Sequence, residues 1–547
     1  MKGLSARALA TVPHCMENKF PMMTHMWRGI LCAVLLFATA LIAGENSNTL
    51  VYSHFANVGP LNPHMYAPNQ MFAQEMVYEP LVRLGENGEI IPCLATRWDI
   101  SDDGLVYTFR LRDDVRFTDG EPFTADAVVE NFRHILANKP RHVWLDLTNR
   151  IESVTALAPF SVEIRLNTPY YPILDDLSLP RPFRFISPAA LPDSGTTRDG
   201  IKKPVGTGPW TLSETRLGEY DLFSKNPGYW GEQPAIDHIL IKVIPDPMSR
   251  AMALETGEID LVYGIGQIHF DTFAAFRNNP AFTTAISSPV GGTALALNSA
   301  RGPTGELAVR RAIQHLCDKD AIIAGVFLDT QPKADFYFSP TVPYADVGLS
   351  PYAFDPAKAA ALLDGAGWGM GASGIREKDG RPLAIDMCFV GNDASQRALA
   401  EVLQGQMAEG GIFLNLIAEE EDSFLRRQRE GEFGIIVNST WGPPFEPHAM
   451  LGSMRSASHA DYQAQLGLAM KPELDRAITR VVETTDPEER RNLYSEILYT
   501  LHEQAIYLPI HYTALLAVWR EGRPGNFSFG PGKSDYPFER YVIPETE

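Results

Sequence analysis

The alternation of apolar and polar residues predicts most elements of the chain before any composition is considered. The apolar run Leu50-Val51-Tyr52 predicts an opening strand, followed by the Gly- and Pro-rich turn VGPLNPHMYAPNQM (58–71). Tyr107, Phe109 and Leu111 alternate with polar residues and predict one arm of a hairpin, and Asp119-Gly120 supplies turn chemistry further on. The period then changes to that of a helix, with Thr124 as N-cap and Val128, Phe132, Ile135 and Leu136 as its apolar face. Strands are expected over 161–166 and 239–244, and GTGPW (206–210) and NPGYW (226–230) punctuate the chain between them. In the second half, strand 383–390, helix 397–407 and strand 412–417 form a strand–helix–strand unit, which implies an α/β lobe. Leu399, Val402, Leu403 and Gln406 are spaced by turns of that helix. Asp355-Pro356 and Asp486-Pro487 each set a cap residue and a first-turn proline before a helical run, and Glu489 stands at the capping-box position of the second. The apolar segments 287–297 and 505–511 read as two places where the chain crosses between lobes.

Length and charge narrow the class. At 547 residues the chain exceeds the ~250–300 at which one core stops growing, so at least two domains are expected. The formal charge of −20 argues against nucleic acid or an anionic membrane as partner. The uncharged run 30–42 follows Arg28 and precedes small residues; it is shorter than the ~20 residues that span a bilayer and suits a signal peptide cleaved between Ala40 and Gly44. Met22, Met23 and Met26 are alternative starts, and Cys32 lacks the small residue expected before a lipid-attachment cysteine. Beyond this leader stand Cys93, Cys317 and Cys388, far apart and without a Cys-x-x-Cys pair, so neither a disulfide framework nor a thiolate metal site is indicated.

One stretch resists the periodic reading. WGPPFEPHAMLGSMRSASHAD (441–461) is read as loop throughout, yet it carries a Trp, a Phe, two Met, an Arg and two His. Loops on a rigid scaffold are where binding residues gather, so this segment, and His459 above all, is expected to close a binding cleft. The plainer reading is an irregular surface loop with some buried aromatics. His64 and His448 each follow a proline and read as structural turn residues. Catalytic motifs are missing: Gly532-Lys533-Ser534 resembles the end of a phosphate loop, but Phe527 replaces its first glycine. Asp99-x-Ser101-x-Asp103-Gly104 resembles half a calcium loop, but Arg110 stands where the bidentate Glu belongs, so it reads as a hairpin turn. With no Gly-x-Ser-x-Gly and no His-Glu-x-x-His, the chain is read as a binding protein and not an enzyme.

The run LATRWDISDDGLVYTFRLRDDVRFTDGEPFTADAVVENF (94–132) resembles the hallmark segment of the extracytoplasmic solute-binding proteins that serve oligopeptide, dipeptide and nickel ABC transporters. GTGPW, NPGYWGEQPAI, DPMSRAMALETGEIDL (246–261) and FDPAKAAALLDGAGW (354–368) follow in the family's order, covering nearly the whole mature chain. VGPLNPHMYAPNQMFAQEMVYEPLV, PRHVWLDL (140–147), LPRPFRFISP (179–188) and segment 441–461 resemble the family's nickel-binding branch. The resemblance implies an α/β, two-lobed periplasmic binding fold of type II, with an extra subdomain in the first lobe and two hinge crossings. The expected bounds are a signal-peptide region 1–43, lobe I 44–289 with the subdomain about 81–208, lobe II 290–509, and a C-terminal segment 510–547 returning to lobe I.

The resemblance also implies the cargo: nickel(II) wrapped in a small carboxylate-bearing chelator of tricarboxylate or histidine type, delivered to the membrane permease of an ABC transporter from the periplasm by a monomer. Arg141 and Arg181 fall on the arginines that hold the carboxylates, His459 on the direct metal ligand, and Tyr66, Met71, Trp144, Trp441 and Phe445 on the pocket lining. Taken without the family, the arginines read more readily as structural ion-pair partners and the tryptophans as core. The chemistry fits the implied roles: a guanidinium fork matches a carboxylate, and a neutral imidazole suits nickel(II). Phe445 stands where the family branch has tyrosine, and Ala67 where a hydroxyl residue is usual, which makes the pocket less polar and leaves the chelator's identity open. Alternatives within the family are a peptide- or haem-binding member; a metal-dependent hydrolase on this scaffold and a chemoreceptor-coupled sensor are the rivals outside it.

Overall fold

Ten strands form one mixed sheet through the structure, a computed structural model that describes residues 48–65 and 71–544. The expected leader (1–43) and Tyr66 with Ala67 lie outside the described residues. The strands are β1 (Thr49–His54), β2 (Trp210–Arg216), β3 (Tyr220–Lys225), β4 (His238–Val243), β5 (Leu261–Gly264), β6 (Phe282–Leu297), β7 (Ala384–Val390), β8 (Phe413–Glu419), β9 (Ile435–Ser439) and β10 (Tyr507–Arg520). Their order across the sheet is β8-β7-β9-β6-β10-β5-β1-β4-β3-β2. This is the two-lobed α/β architecture, and the long strands β6 and β10 are common to both halves. They pair antiparallel from Phe282↔Arg520 at one end to Ala296↔Tyr507 at the other. At one end β10 borders β5, and at the other β6 borders β9. Between the halves the β6–β10 register shifts three times, around Pro289, Gly292 and Thr293. Proline cannot donate to the ladder and bulges bend a strand, so the sheet is locally weakest where the halves meet.

The strand–helix–strand unit reads as its pattern predicts: β7 and β8 pair in parallel from Ala384↔Phe413 to Val390↔Glu419. Its connecting helix, Ala394–Glu409, is capped by Asp393, whose carboxylate accepts from the Ser395 and Gln396 N–H groups. A separate four-stranded sheet joins Ala95–Ile100, Val106–Leu111, Ser161–Leu166 and Ile151–Ala158 in that order. On it lies the helix Ala125–Leu136, capped by Thr124 as expected, with Val128, Phe132 and Ile135 buried and Phe132 stacked 5.2 Å from Phe183. Burying each such aromatic contributes about 1.5–3 kcal/mol, and their core runs on into residues of the second half such as Phe445, Met450 and Tyr494. The loop 441–461 thus shares one core with the four-stranded sheet and its helix and with later residues such as Tyr494.

Two local expectations fail. The loop 441–461 contains the short helix His448–Ser453, whose His448, Ala449, Met450 and Leu451 are buried; tertiary burial supplies what periodicity in so short a run does not. Glu489 does not close a capping box, since it pairs with Arg480 at 2.8 Å and with the Thr484 hydroxyl, while the Asp486 N–H turns back to Thr484. Cys93, Cys317 and Cys388 are free and buried, and burial pushes each thiol up to about 12. Among the described residues no helix is long and apolar enough to cross a membrane.

Candidate functional site

The site is built where the loop leaves β9. The Thr440 N–H donates to the Gly292 carbonyl of β6 at 2.8 Å, and the Gly442 N–H to the Glu446 carboxylate at 2.7 Å. Gly442 has φ 76°, and a Cβ there would stand 1.9 Å from the Val290 carbonyl, so only glycine fits this approach to β6. At the far end the buried Asp461 carboxylate accepts from Asn438 (2.8 Å), the Tyr337 hydroxyl (2.9 Å) and the Tyr507 hydroxyl (2.8 Å). Three donors fix that end of the loop, and His459 stands two residues before it. Its own N–H bonds the Ser456 carbonyl at 3.0 Å.

A cavity of about 640 Å³ opens along this loop, and Met71, Arg141, Trp144, Arg181, Trp441, Phe445 and His459 all line it. Those are the site residues expected from sequence, Tyr66 excepted because it lies outside the described residues. Trp144, Trp441 and Phe445 form an aromatic triangle with ring centroids 6.0, 6.0 and 6.1 Å apart. Trp441 continues to the His459 ring at 5.7 Å, and the Arg181 guanidinium lies 4.4 Å over Trp144. The two arginines are not equivalent. Arg181 is buried against the triangle, whereas Arg141 ends the short turn Lys139–Arg141 on the exposed rim. Of the two arginines expected to hold carboxylates, Arg181 stands in the wall and Arg141 at the mouth.

The electrostatics favour a carboxylate-bearing guest that brings its own metal ligands. Burial lowers the His459 imidazole below its ordinary value and Asp461 only partly opposes this, so the ring is held neutral and able to donate. No group of three or more His, Cys, Asp or Glu side chains able to hold a metal occurs among the described residues. One imidazole does not retain a divalent ion, and the remaining donors must come with it. The aromatic triangle gives the cavity one apolar wall, against which a charged contact is stronger than in open water.

Sequence reasoning missed three features of this site. Lys533, set aside with a failed phosphate-loop match, lines the same cavity. So does Asn438, tied to Asp461, and so does Gln396 from the first turn of the strand–helix–strand unit. No local signal marks them, because each arrives from a different part of the chain. His448, read as a turn residue, opens the helix His448–Ser453 and bonds the buried Asp176 carboxylate at 2.8 Å. Burial alone would lower its imidazole, but the charge and hydrogen bond of Asp176, with Asp175 and Asp146 behind, raise it above its ordinary value. His64 is structural, bonded to the Arg184 carbonyl at 3.0 Å and lowered to about 3 by burial.

The sequence model described as bacterial extracellular solute-binding proteins, family 5 Middle, matches residues 89–462. The nickel-binding periplasmic protein of Escherichia coli (strain K12) is 49% identical over 515 residues, 94% of this chain and 98% of that one. Among solved structures, NikA from Brucella suis in complex with Fe(III)-EDTA is 52% identical, with a TM-score of 0.89 over 91% of this chain and all of that one (100%). NikZ from Campylobacter jejuni in complex with Ni(L-His) is 25% identical, with a TM-score of 0.75 over 91% of this chain and 99% of that one.

Proposed function

The chain belongs to the bacterial extracellular solute-binding proteins of family 5, and we propose that it captures nickel(II) as a complex with a small carboxylate-bearing chelator for import by an ABC transporter. The observation that carries this reading is the pairing, in one aromatic-walled cavity, of positive side chains with a single neutral imidazole. In it Arg181 and Arg141 hold carboxylates, His459 supplies a nitrogen to the metal, and Met71, Trp144, Trp441 and Phe445 exclude water. Relatives whose names specify nickel, Fe(III)-EDTA and Ni(L-His) support a metal that arrives already ligated. The lobes, about 44–289 with 510–547 and 290–509, close by bending at the irregular centre of β6 and β10, and the closed monomer is what the permease meets in the periplasm.

Calorimetric titration tests the proposal. Nickel with a tricarboxylate or with histidine should bind tightly, and bare nickel poorly. Tight binding of bare nickel in chelator-free buffer would overturn it.

A further inference from the structure

Lys533 lines three cavities: a small one of about 100 Å³ on the side of Glu75 and Asp535, and two larger compartments of the cleft. It lines the 640 Å³ cavity that holds Arg181 and His459, and also an adjoining cavity of about 860 Å³ that shares Gln396, Val437, Ser439 and Thr440 with the first. The residues around it are firmly held. The Ser534 hydroxyl donates to Glu75 at 3.0 Å, and Tyr536 stacks 4.1 Å from Tyr263 in the core. Gly530 permits the tight turn before it, since a Cβ there would lie 2.2 Å from the Asp535 carbonyl. The backbone on which Lys533 stands is thus built into the core of the first half, while its side chain reaches the cleft.

Its ammonium has no protein anion in contact. Among the described residues Lys533 makes no hydrogen bond and no ion pair, although Arg181 is near enough to repel it. Glu446, the carboxylate that attracts it, is buried and engaged by the Gly442 N–H at 2.7 Å and by Thr440. A half-buried lysine that lines a ligand cavity, with its attracting carboxylate already engaged elsewhere, is placed to meet a further anion. In a protein of net charge −20, such an arrangement at a ligand cavity is aimed at the ligand.

We propose that Lys533 determines charge specificity, selecting chelates that keep a net negative charge over neutral ones. This rests on the chelate reading above and deepens it. Nickel(II) with a fully ionised tricarboxylate carries −1, whereas nickel(II) with two singly ionised amino acids is neutral. The arginines serve either guest; only the first leaves a negative group for the ammonium. A charged hydrogen bond of this kind converts to about a ten- to hundredfold change in affinity.

The test measures binding of nickel tricarboxylate and of nickel bis-histidine to the wild type, Lys533→Met and Lys533→Arg, with thermal melts to establish folding. Lys533→Met should weaken the tricarboxylate complex tenfold or more, leave the bis-histidine complex within twofold, and flatten the salt dependence of the former. Lys533→Arg should restore most of the tricarboxylate affinity. Equal losses for both chelates in Lys533→Met, or no loss for either, would overturn the role given to Lys533 while leaving the chelate reading intact. Wild-type protein that binds neither chelate would overturn both.

Discussion

The segment 441–461 holds two histidines, His448 toward its middle and His459 at its cavity end, and the two do opposite things. His448 is buried against Asp176, a residue more than 250 positions earlier (272 in sequence), and its imidazole is raised. Arg455 meets Asp146 at 2.7 Å, and Arg150 meets Glu483 at 3.1 Å, so His448 is one of several ties between residues 146–176 and residues 448–483. His459 faces the cavity, has a lowered imidazole, and lies beside Trp441 with no carboxylate in hydrogen-bonding contact among the described residues. Residue type and chain neighbourhood are nearly the same; the partner decides. A carboxylate partner makes the imidazole a charged tie, and an apolar wall makes it a neutral donor.

Removing the tie should have the largest effect. Among the described residues His448→Ala leaves the buried Asp176 carboxylate the Tyr170 hydroxyl as its side-chain partner, and breaking a buried pair costs about 3–5 kcal/mol. Urea denaturation should show that loss, with chelate affinity little changed in the variant that remains folded. A loss below about 1 kcal/mol, the scale of an exposed pair, would show that the tie is incidental.

Next come the arginines, which work at the cavity end. Arg181→Ala should weaken chelate binding about ten- to hundredfold, because its fork acts in a desolvated wall. Arg141→Ala should cost less, since its charge sits on the exposed rim and is screened by salt. If titration calorimetry finds the two losses equal, the difference in burial carries no functional weight.

The smallest effect is in pH. His448, raised in the folded state, gives stability that is full below about 6.5 and is lost as pH rises through its folded value. His459, lowered, keeps its capacity to bind metal below 6.5 and loses it only as pH falls through its own folded value. Nuclear magnetic resonance titration of the two rings should place them on opposite sides of the ordinary value; finding both on one side would sink the contrast.

The same contrast marks what was legible in the sequence. Strands such as Val106–Leu111 and the unit from β7 to β8 were readable because each buries its own alternating or turn-spaced face. The helix His448–Ser453 was not, because its burial comes from distant residues. The proposed site positions are readable only through whole segments that resemble the family, for Arg141, Arg181 and His459 line one cavity across about 300 residues of chain, beyond any local period. Lys533 is not legible because Gly532-Lys533-Ser534 resembles only the end of a phosphate loop, and nothing local tells that its segment returns to the cleft.

X-ray absorption on the protein loaded with nickel and a tricarboxylate tests the central claim most directly, that the metal arrives ligated and takes one bond from His459. The account predicts chelator oxygens around nickel and one nitrogen scatterer at imidazole distance, lost in His459→Ala while the chelate still binds more weakly through Arg181 and Arg141. A spectrum unchanged by the substitution, or one showing several protein nitrogens on the metal, would contradict it.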